Sequence, residues 1–103
     1  EHRVSGAEAN SYLVLSAILS GIHLGLSNKI QPSEFRIDNA CTDIDPNMPK
    51  NIEKSIQLFE NSEFCKNYFS NEYVQIYSDL KRKEIETFNS EISDIEYKWY
   101  LNL

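Results

Sequence analysis

The stretch SYLVLSAILSGIHLGL, residues 11–26, decides how this chain is built. No Asp, Glu, Lys or Arg falls between Glu8 and Lys29, and an apolar run of this length predicts a helix rather than a strand. Asn10 or Ser11 is expected to cap its start, and Asn28 to end it in the left-handed conformation. The helix is apolar on every side, which is typical of a helix enclosed by a large protein.

Small residues recur on one side of this helix, at Ala17, Gly21 and Gly25. They predict a flat stripe that another backbone can approach closely. A membrane span is rejected, because the run falls short of the ~20 residues that a bilayer requires, contains polar residues, and lacks aromatic and basic anchors at its ends. A helix lying on a membrane surface would need basic flanks, which are absent. We therefore expect no membrane contact.

Composition excludes further classes of protein. The chain has 103 residues, 41% hydrophobic and 12% aromatic, which fits one small domain or a piece of a larger one and argues against disorder. Three Gly and three Pro are too few for a sandwich of many short strands. Ten Lys and Arg against sixteen Asp and Glu give a net charge of −6 without a basic patch, so nucleic-acid binding is not expected.

The rest of the chain is predicted to be an irregular connection followed by short helices. Residues 30–49 hold all three prolines, which is typical of a loop. From residue 50 the apolar spacing is helical. Pro49 is expected to start one helix, Ser62 to cap a second, and Ser70 or Asn71 to open the longest. The chain is therefore predicted to be mainly α, with at most a short strand at its N-terminus.

Helical spacing also predicts which side chains share a face of each helix. A capping box starts the last short helix: Ser93 caps forward, Glu96 reaches back, and Ile95 and Trp99 are expected to face the core. The faces predicted for the preceding helices comprise Ile52, Ile56 and Phe59; Phe64, Cys65, Tyr68 and Phe69; and Tyr73, Tyr77, Leu80, Ile85, Phe88 and Ile92.

Few residues have the types and spacings that catalysis requires. His23 lies on an apolar helix, where a histidine is more often a satisfied core or interface residue than a ligand. Cys41 and Cys65 lack metal-ligand spacing, and two reduced thiols are favoured over one disulfide. The basic run 81–83 is interpreted as a solvated helix face that makes i,i+4 contacts with acids.

Glu1 and Arg3 differ from these residues in one respect. On a strand their side chains point the same way, which suits a hard metal ion beside an anionic substrate. Any E-x-R on a strand satisfies this spacing, however, and a frayed, exposed terminus explains it more simply.

The first fifteen residues, EHRVSGAEANSYLVL, closely resemble a segment near the C-terminus of the glutamine synthetase family, where the pattern is roughly EHRxxGADANPYLVxAAILAG. Later segments resemble that family in the same order, so the likeness covers essentially the whole chain. Ser11 replaces the family proline at the helix start, and Cys41 replaces the tyrosine of its N-A-Y stretch. Neither departure touches Glu1 or Arg3. The matching segments are Asn39-Ala40, Met48-Pro49, the helix ending at 59–62, and the closing helices over 73–82, 84–88 and 94–101.

The resemblance implies an ATP-dependent carboxylate–amine ligase. Such an enzyme phosphorylates the γ-carboxylate of glutamate, and ammonia, an amine or a polyamine then displaces the phosphate. It implies that Glu1 is a ligand for Mg²⁺ or Mn²⁺, and that Arg3 clamps the charges of the acidic substrate and the transferred phosphoryl group. Residues 1–7 look more like the γ-glutamyl-polyamine synthetase branch than the ammonia-using branch. The family further implies a cytoplasmic homo-oligomer of two stacked rings.

Residues 1–103 are accordingly expected to be a C-terminal fragment of such a catalytic domain, the helical portion of an α/β fold. The absent initiator methionine and the overly apolar helix point the same way. The isolated fragment is expected to be inactive and to bind neither ATP nor metal tightly. The alternative is a free-standing helical interaction module without catalysis, which docks into a partner through the stripe of Ala17, Gly21 and Gly25.

Overall fold

Five helices make up the part of the chain that this computed structural model describes, residues 4–35, 37, 39, 42 and 45–101. No strand occurs among those residues, so the prediction of a mainly α chain is confirmed. The chain divides into two compact units, Glu1–Asp43 and Ile44–Leu103. The first contains α1 and the second contains α2 to α5.

The first helix, α1, spans Ser11–Ser27 and starts at an asparagine cap. The Oδ1 atom of Asn10 accepts hydrogen bonds from the N–H groups of Tyr12 (3.0 Å) and Leu13 (3.3 Å), so Asn10 rather than Ser11 is the cap. Before it, residues 4–10 form bends and a turn, in which the N–H of Ala9 donates to the carbonyl of Gly6 (3.1 Å). The strand allowed for at the N-terminus is therefore absent from residues 4–10.

The C-terminal end of α1 is a Schellman motif. The N–H of Ile30 donates to the carbonyl of Gly25 (2.9 Å), and the N–H of Lys29 to that of Leu26 (3.2 Å). Lys29 has a φ of 50°, whereas Asn28 has a φ of −92°. The prediction that Asn28 is left-handed is therefore wrong by one residue. Its N–H still donates to the carbonyl of Leu24 (3.0 Å), so the last helical turn closes there and the reversal falls at Lys29.

No residue of α1 is buried. A Cβ atom added at Gly21 or Gly25 would meet no atom within 4 Å, apart from the helix's own backbone. The flat stripe predicted from these small residues is thus open in the described part of the chain. The apolar surface of α1 is therefore exposed among the described residues, as expected for a helix that is apolar on every side.

The second unit contains four helices, each with a side-chain cap. The caps at Ser62, Ser70 and Ser93 match the predictions, including the reciprocal capping box at Ser93. The prediction that Pro49 starts the first of them is wrong. Asn51 does so, because its side chain accepts the N–H of Lys54 (2.8 Å). The helices are α2 (Ile52–Asn61), α3 (Glu63–Phe69), α4 (Asn71–Ser90) and α5 (Asp94–Tyr100).

The core of this unit forms where α2 and α3 pack against α4 and against each other. Ile56, Val74 and Ser78 are its buried residues. Around them the ring of Phe59 meets Tyr77 edge-on at 5.6 Å, and Tyr73 stacks on Tyr77 at 5.8 Å between centroids. The core is small, so its stability depends strongly on these few contacts.

Several side chains on these predicted helix faces are exposed. Leu80 and Phe88 on α4 face solvent. The side of α4 that packs against the other helices contains Val74 and Ser78 instead. In addition, α3 has only seven residues and is too short to cover the twenty-residue α4. Ile52 is half exposed, and Ile92 lies beyond the end of α4. Ile95 and Trp99 on α5 are also exposed, so the expectation that they face the core is wrong. Spacing identifies side chains that share a face, but not what lies opposite.

Candidate functional site

The two residues expected to carry chemistry, Glu1 and Arg3, lie outside the described residues. The nearest described structure is the turn over 4–10, which leads directly into α1. Asn10 fixes the start of that helix by accepting two backbone hydrogen bonds. The roles of Glu1 and Arg3 remain predictions from the family resemblance.

A shallow cavity of about 370 Å³ lies between this turn and α1. Gly6, Ala7 and Ala9 line it on the turn side, and Val14 and Ile18 on the helix side. No ionisable side chain lines it, so the cavity offers neither an acid nor a base. The cavity is therefore suited to packing against other side chains rather than to catalysis.

A groove of about 360 Å³ runs between α2 and α4 in the second unit. Arg82 lies in it and forms ion pairs with Glu60 of α2 and, at 3.5 Å, with Asp79. These acids raise the pKa of Arg82, chiefly through the hydrogen bond to Glu60. Glu86 on the rim pairs with Lys83 at 3.1 Å. Arg82 and Glu86, two of the three charged residues that line the groove, are thus paired with neighbours, which indicates a structural role for them.

The basic run 81–83 is a paired helix face, but its spacing differs from the prediction. Lys81 pairs with Glu84 at 2.7 Å, and the pairs in this run that lie within α4 are all i,i+3 rather than i,i+4. Sequence reasoning also missed Glu60, because nothing in the spacing connects it with a residue 22 positions away. The signal that identifies Glu60 is a half-buried carboxylate opposite an arginine, and this signal exists only in the folded structure.

The displaced pKa values of the described residues all move away from neutrality. The hydrogen bond to Glu84 raises the pKa of Lys81, whose ammonium also lies 5.5 Å from the ring centre of Tyr77. Burial, followed by the neighbouring Tyr77, raises the pKa of Tyr73. The backbone N–H and hydroxyl of Ser93 lower the pKa of Glu96. None of these shifts prepares a group for proton transfer near pH 7.

Metal ligands are not gathered within residues 4–35 and 45–101: no three His, Cys, Asp or Glu side chains there lie close enough to hold an ion. The ring of His23 lies 3.5 Å from the hydroxyl of Ser27, and His23 is exposed rather than part of a core. Cys65 is a free, half-buried thiol, and Cys41 lies outside the described residues.

Among the described residues, no helix has both the length and the apolar character needed to cross a membrane.

Comparison with known proteins gives one consistent result. The family described as "Glutamine synthetase, catalytic domain" matches residues 1–100. A glutamate–isopropylamine ligase of Pseudomonas is 33% identical over the whole chain, which corresponds to 23% of that protein. A γ-glutamylputrescine synthetase of Escherichia coli K12 is 30% identical over 98% of the chain and 21% of its own length.

A relative named for another amine matches as well. A γ-glutamylethanolamide synthetase of Streptomyces coelicolor is 28% identical over 95% of the chain and 21% of its own length. No solved structure matches significantly. The chain spans between a fifth and a quarter of the length of these relatives. Since the family match covers almost every residue, this chain belongs to the glutamine synthetase catalytic-domain family.

Proposed function

We propose that this chain forms the C-terminal part of a ligase that uses ATP to join the γ-carboxylate of glutamate to an amine. The observation that carries the proposal is the family match over residues 1–100, together with relatives named as glutamate–amine ligases. The open faces of α1 support it, because a helix with no buried residue needs cover from further polypeptide.

Glu1 and Arg3 are the residues of this chain that would take part in the reaction. The carboxylate of Glu1 suits Mg²⁺ or Mn²⁺, which prefer oxygen ligands. Because the described residues do not cluster into a metal site, Glu1 would be one ligand of a site completed by other polypeptide. A bound divalent ion would neutralise charge on the transferred phosphoryl group. Arg3 would hold the anionic substrate through its planar guanidinium.

The amine is proposed to be an organic amine or polyamine rather than ammonia. The support is that a relative named for isopropylamine is 33% identical over the whole chain and one named for putrescine is 30% identical over 98% of it, while three glutamine synthetases are 26% to 30% identical. The same proposal includes a cytoplasmic location and an assembly of stacked rings. The isolated 103-residue chain is proposed to be inactive, because it spans only a fraction of its relatives' length.

The test is an assay of phosphate release from ATP by a polypeptide that carries residues 1–103 at the end of a full-length catalytic domain. Glutamate is supplied with isopropylamine, putrescine, ethanolamine or ammonia in parallel, and mass spectrometry identifies the γ-glutamyl product. We expect release to require glutamate and an organic amine. Glu1→Ala should lower kcat/KM by about 100-fold or more, and Arg3→Lys should raise the KM for glutamate.

Glu8→Gln is the matched control, since Glu8 is a nearby exposed carboxylate to which no catalytic role is assigned. It should leave the rate unchanged. Preference for ammonia would overturn the assignment of the amine. Glutamate-dependent phosphate release by the isolated chain, abolished by Glu1→Ala, would show that the 103 residues suffice and would contradict the proposed incompleteness.

A further inference from the structure

The cavity between the turn over residues 4–10 and α1 has the size and lining of a small-molecule site. Its volume of about 370 Å³ lies within the range of about 300–1,000 Å³ that such sites occupy. Val14 and Ile18 are half-buried, lie one helical turn apart and form its helix side. Among the described residues, its polar side chains are the hydroxyls of Ser5 and Ser11. We call this space the turn cavity.

Small residues in the turn keep the cavity open. A Cβ atom added at Gly6 would meet no atom within 4 Å, and Ala7 and Ala9 each contribute a single methyl group. Such a lining can contact an alkyl group of a bound molecule as well as a protein side chain, because burial of either removes apolar surface from water. The turn cavity is therefore suited to an uncharged hydrocarbon group.

Chain connectivity places the turn cavity close to the residues expected to act on glutamate. Ser5 lines the cavity and follows Arg3 by two residues, and two residues of chain span at most about 7 Å. In the proposed reaction Arg3 would hold the anionic glutamate, and the amine would form a bond to the γ-carbon of that glutamate. The substituent of the amine nitrogen is therefore expected near this segment.

We propose that the turn cavity holds the alkyl group of the amine substrate, and that Ala7, Val14 and Ile18 determine which amines are used. This inference rests on the proposed function and narrows it to one substrate class, small alkyl monoamines. Alkyl groups that fill the cavity bury more apolar surface than the hydrogen atoms of ammonia, so they bind more favourably.

The lining disfavours a diamine. No Asp or Glu is found among the described residues that line the cavity, so the second ammonium group of putrescine would lose its hydration without gaining a partner of opposite charge. Isopropylamine carries no second charge and avoids this cost. We therefore expect kcat/KM for isopropylamine to exceed that for putrescine by about 10-fold or more.

The test uses the polypeptide that carries residues 1–103 at the end of a full-length catalytic domain. Phosphate release gives kcat/KM for methylamine, isopropylamine, sec-butylamine and putrescine. Ala7→Leu narrows the cavity, so it should lower the ratio of kcat/KM for isopropylamine to that for methylamine by about 10-fold. Ile18→Ala enlarges the cavity, so it should raise the ratio for sec-butylamine to isopropylamine by about 10-fold. Each ratio compares two substrates on one protein, so a loss of folded enzyme cancels.

Ile22→Ala is the matched control, because Ile22 lies on α1 one turn beyond Ile18 and does not line the cavity. It should change neither ratio. Unchanged ratios in both cavity variants would overturn the inference, since a protein side chain rather than the amine would then fill the cavity. A preference for putrescine over isopropylamine would overturn it as well. An active enzyme with these results would refute the inference alone, whereas a parent protein that releases no phosphate with any amine would refute the proposed function and the inference with it.

Discussion

Glu60 of α2 and Arg82 of α4 form an ion pair that connects two helices across 22 positions of sequence. Asp79, one turn before Arg82, accepts a second hydrogen bond from the same guanidinium at 3.5 Å. The side chain of Glu60 is only 21% exposed, so the pair lies at the edge of the contact between the helices rather than in open solvent. It therefore complements the apolar contact that Ile56 makes in the core.

Glu60→Gln is expected to lower the thermal midpoint of the α2–α4 unit by about 2–4 °C at low salt. The reason is that the amide keeps the shape of the carboxylate but loses the charge that Arg82 faces. The difference from the parent chain should shrink in about 1 M NaCl, where exposed charges are screened. Circular dichroism melts at both salt concentrations measure it. Glu63→Gln, whose partner Lys66 lies in the same helix, is the control and should shift the midpoint less. A difference that is unaffected by salt would contradict an electrostatic contribution.

Helix starts could be predicted from sequence because a cap is a local arrangement. Asn10, Ser62 and Ser93 each hydrogen-bond an N–H group two or three residues later, so the pattern contains both partners. The Glu60–Arg82 pair could not be predicted in this way, since its partners meet only when α2 packs on α4. The exposure of Trp99 was missed for the same reason, because it depends on what neighbours α5 has.

The candidate site likewise could not be predicted from local sequence patterns. No local signal marked Glu1 and Arg3, since their spacing alone fits any strand. Only the likeness of the first fifteen residues to a family indicated their roles. The described residues contribute the capped start of α1, and no cluster of metal ligands occurs among them. A site assembled from distant segments cannot be derived from the spacing within one of them.

Ser70 is a strained helix cap, and two substitutions there should have opposite effects. Its φ of 73° and ψ of 154° fall in a region that glycine adopts far more readily than serine. Its hydroxyl oxygen accepts the N–H of Tyr73 at 3.3 Å. Ser70→Gly should stabilise the unit by about 1 kcal/mol, since relief of strain exceeds the few tenths lost when glycine replaces a capping serine. Ser70→Ala should destabilise it by about 1 kcal/mol, since the cap is lost and the strain stays.

Urea unfolding of the two Ser70 variants beside the parent measures both free energies. Equal destabilisation by Gly and Ala would mean that the hydroxyl alone matters and that the backbone is not strained.

Ser78 is fully buried on α4, and its hydroxyl has no hydrogen-bond partner among the described residues. Removing a buried hydroxyl that is not hydrogen-bonded carries no loss, so Ser78→Ala should be neutral or stabilise the unit by up to about 1 kcal/mol. Ser78→Leu should destabilise it by about 1–3 kcal/mol, because the site has no room for the larger side chain. Urea unfolding measures both. Destabilisation by alanine of more than about 1 kcal/mol would reveal a hydrogen bond in solution.

Lys29 occupies the left-handed position of the Schellman motif with a φ of 50°. Lys29→Gly should stabilise the end of α1 by about 1 kcal/mol, since glycine has no Cβ to clash in this conformation. Slower hydrogen exchange at the amide of Ile30, which donates to Gly25, is the measurement. Asn28→Gly is the control, because Asn28 has a negative φ and should gain nothing. An equal gain at both positions would place the reversal elsewhere.

Glu96 should titrate below an ordinary glutamate, because the N–H of Ser93 (2.7 Å) and then its hydroxyl (2.8 Å) donate to the carboxylate and lower its pKa. The folded helix thus favours the charged form, so the capping box contributes stability above the pKa of the unfolded chain. That contribution is lost as the pH falls through the lower pKa of the folded state. Carbon-13 NMR should therefore place the carboxyl midpoint below that of an unstructured peptide spanning 91–98. Ser93→Ala should move the midpoint part of the way back, because the backbone N–H remains. A midpoint equal to that of the peptide would mean that the capping box does not persist in solution.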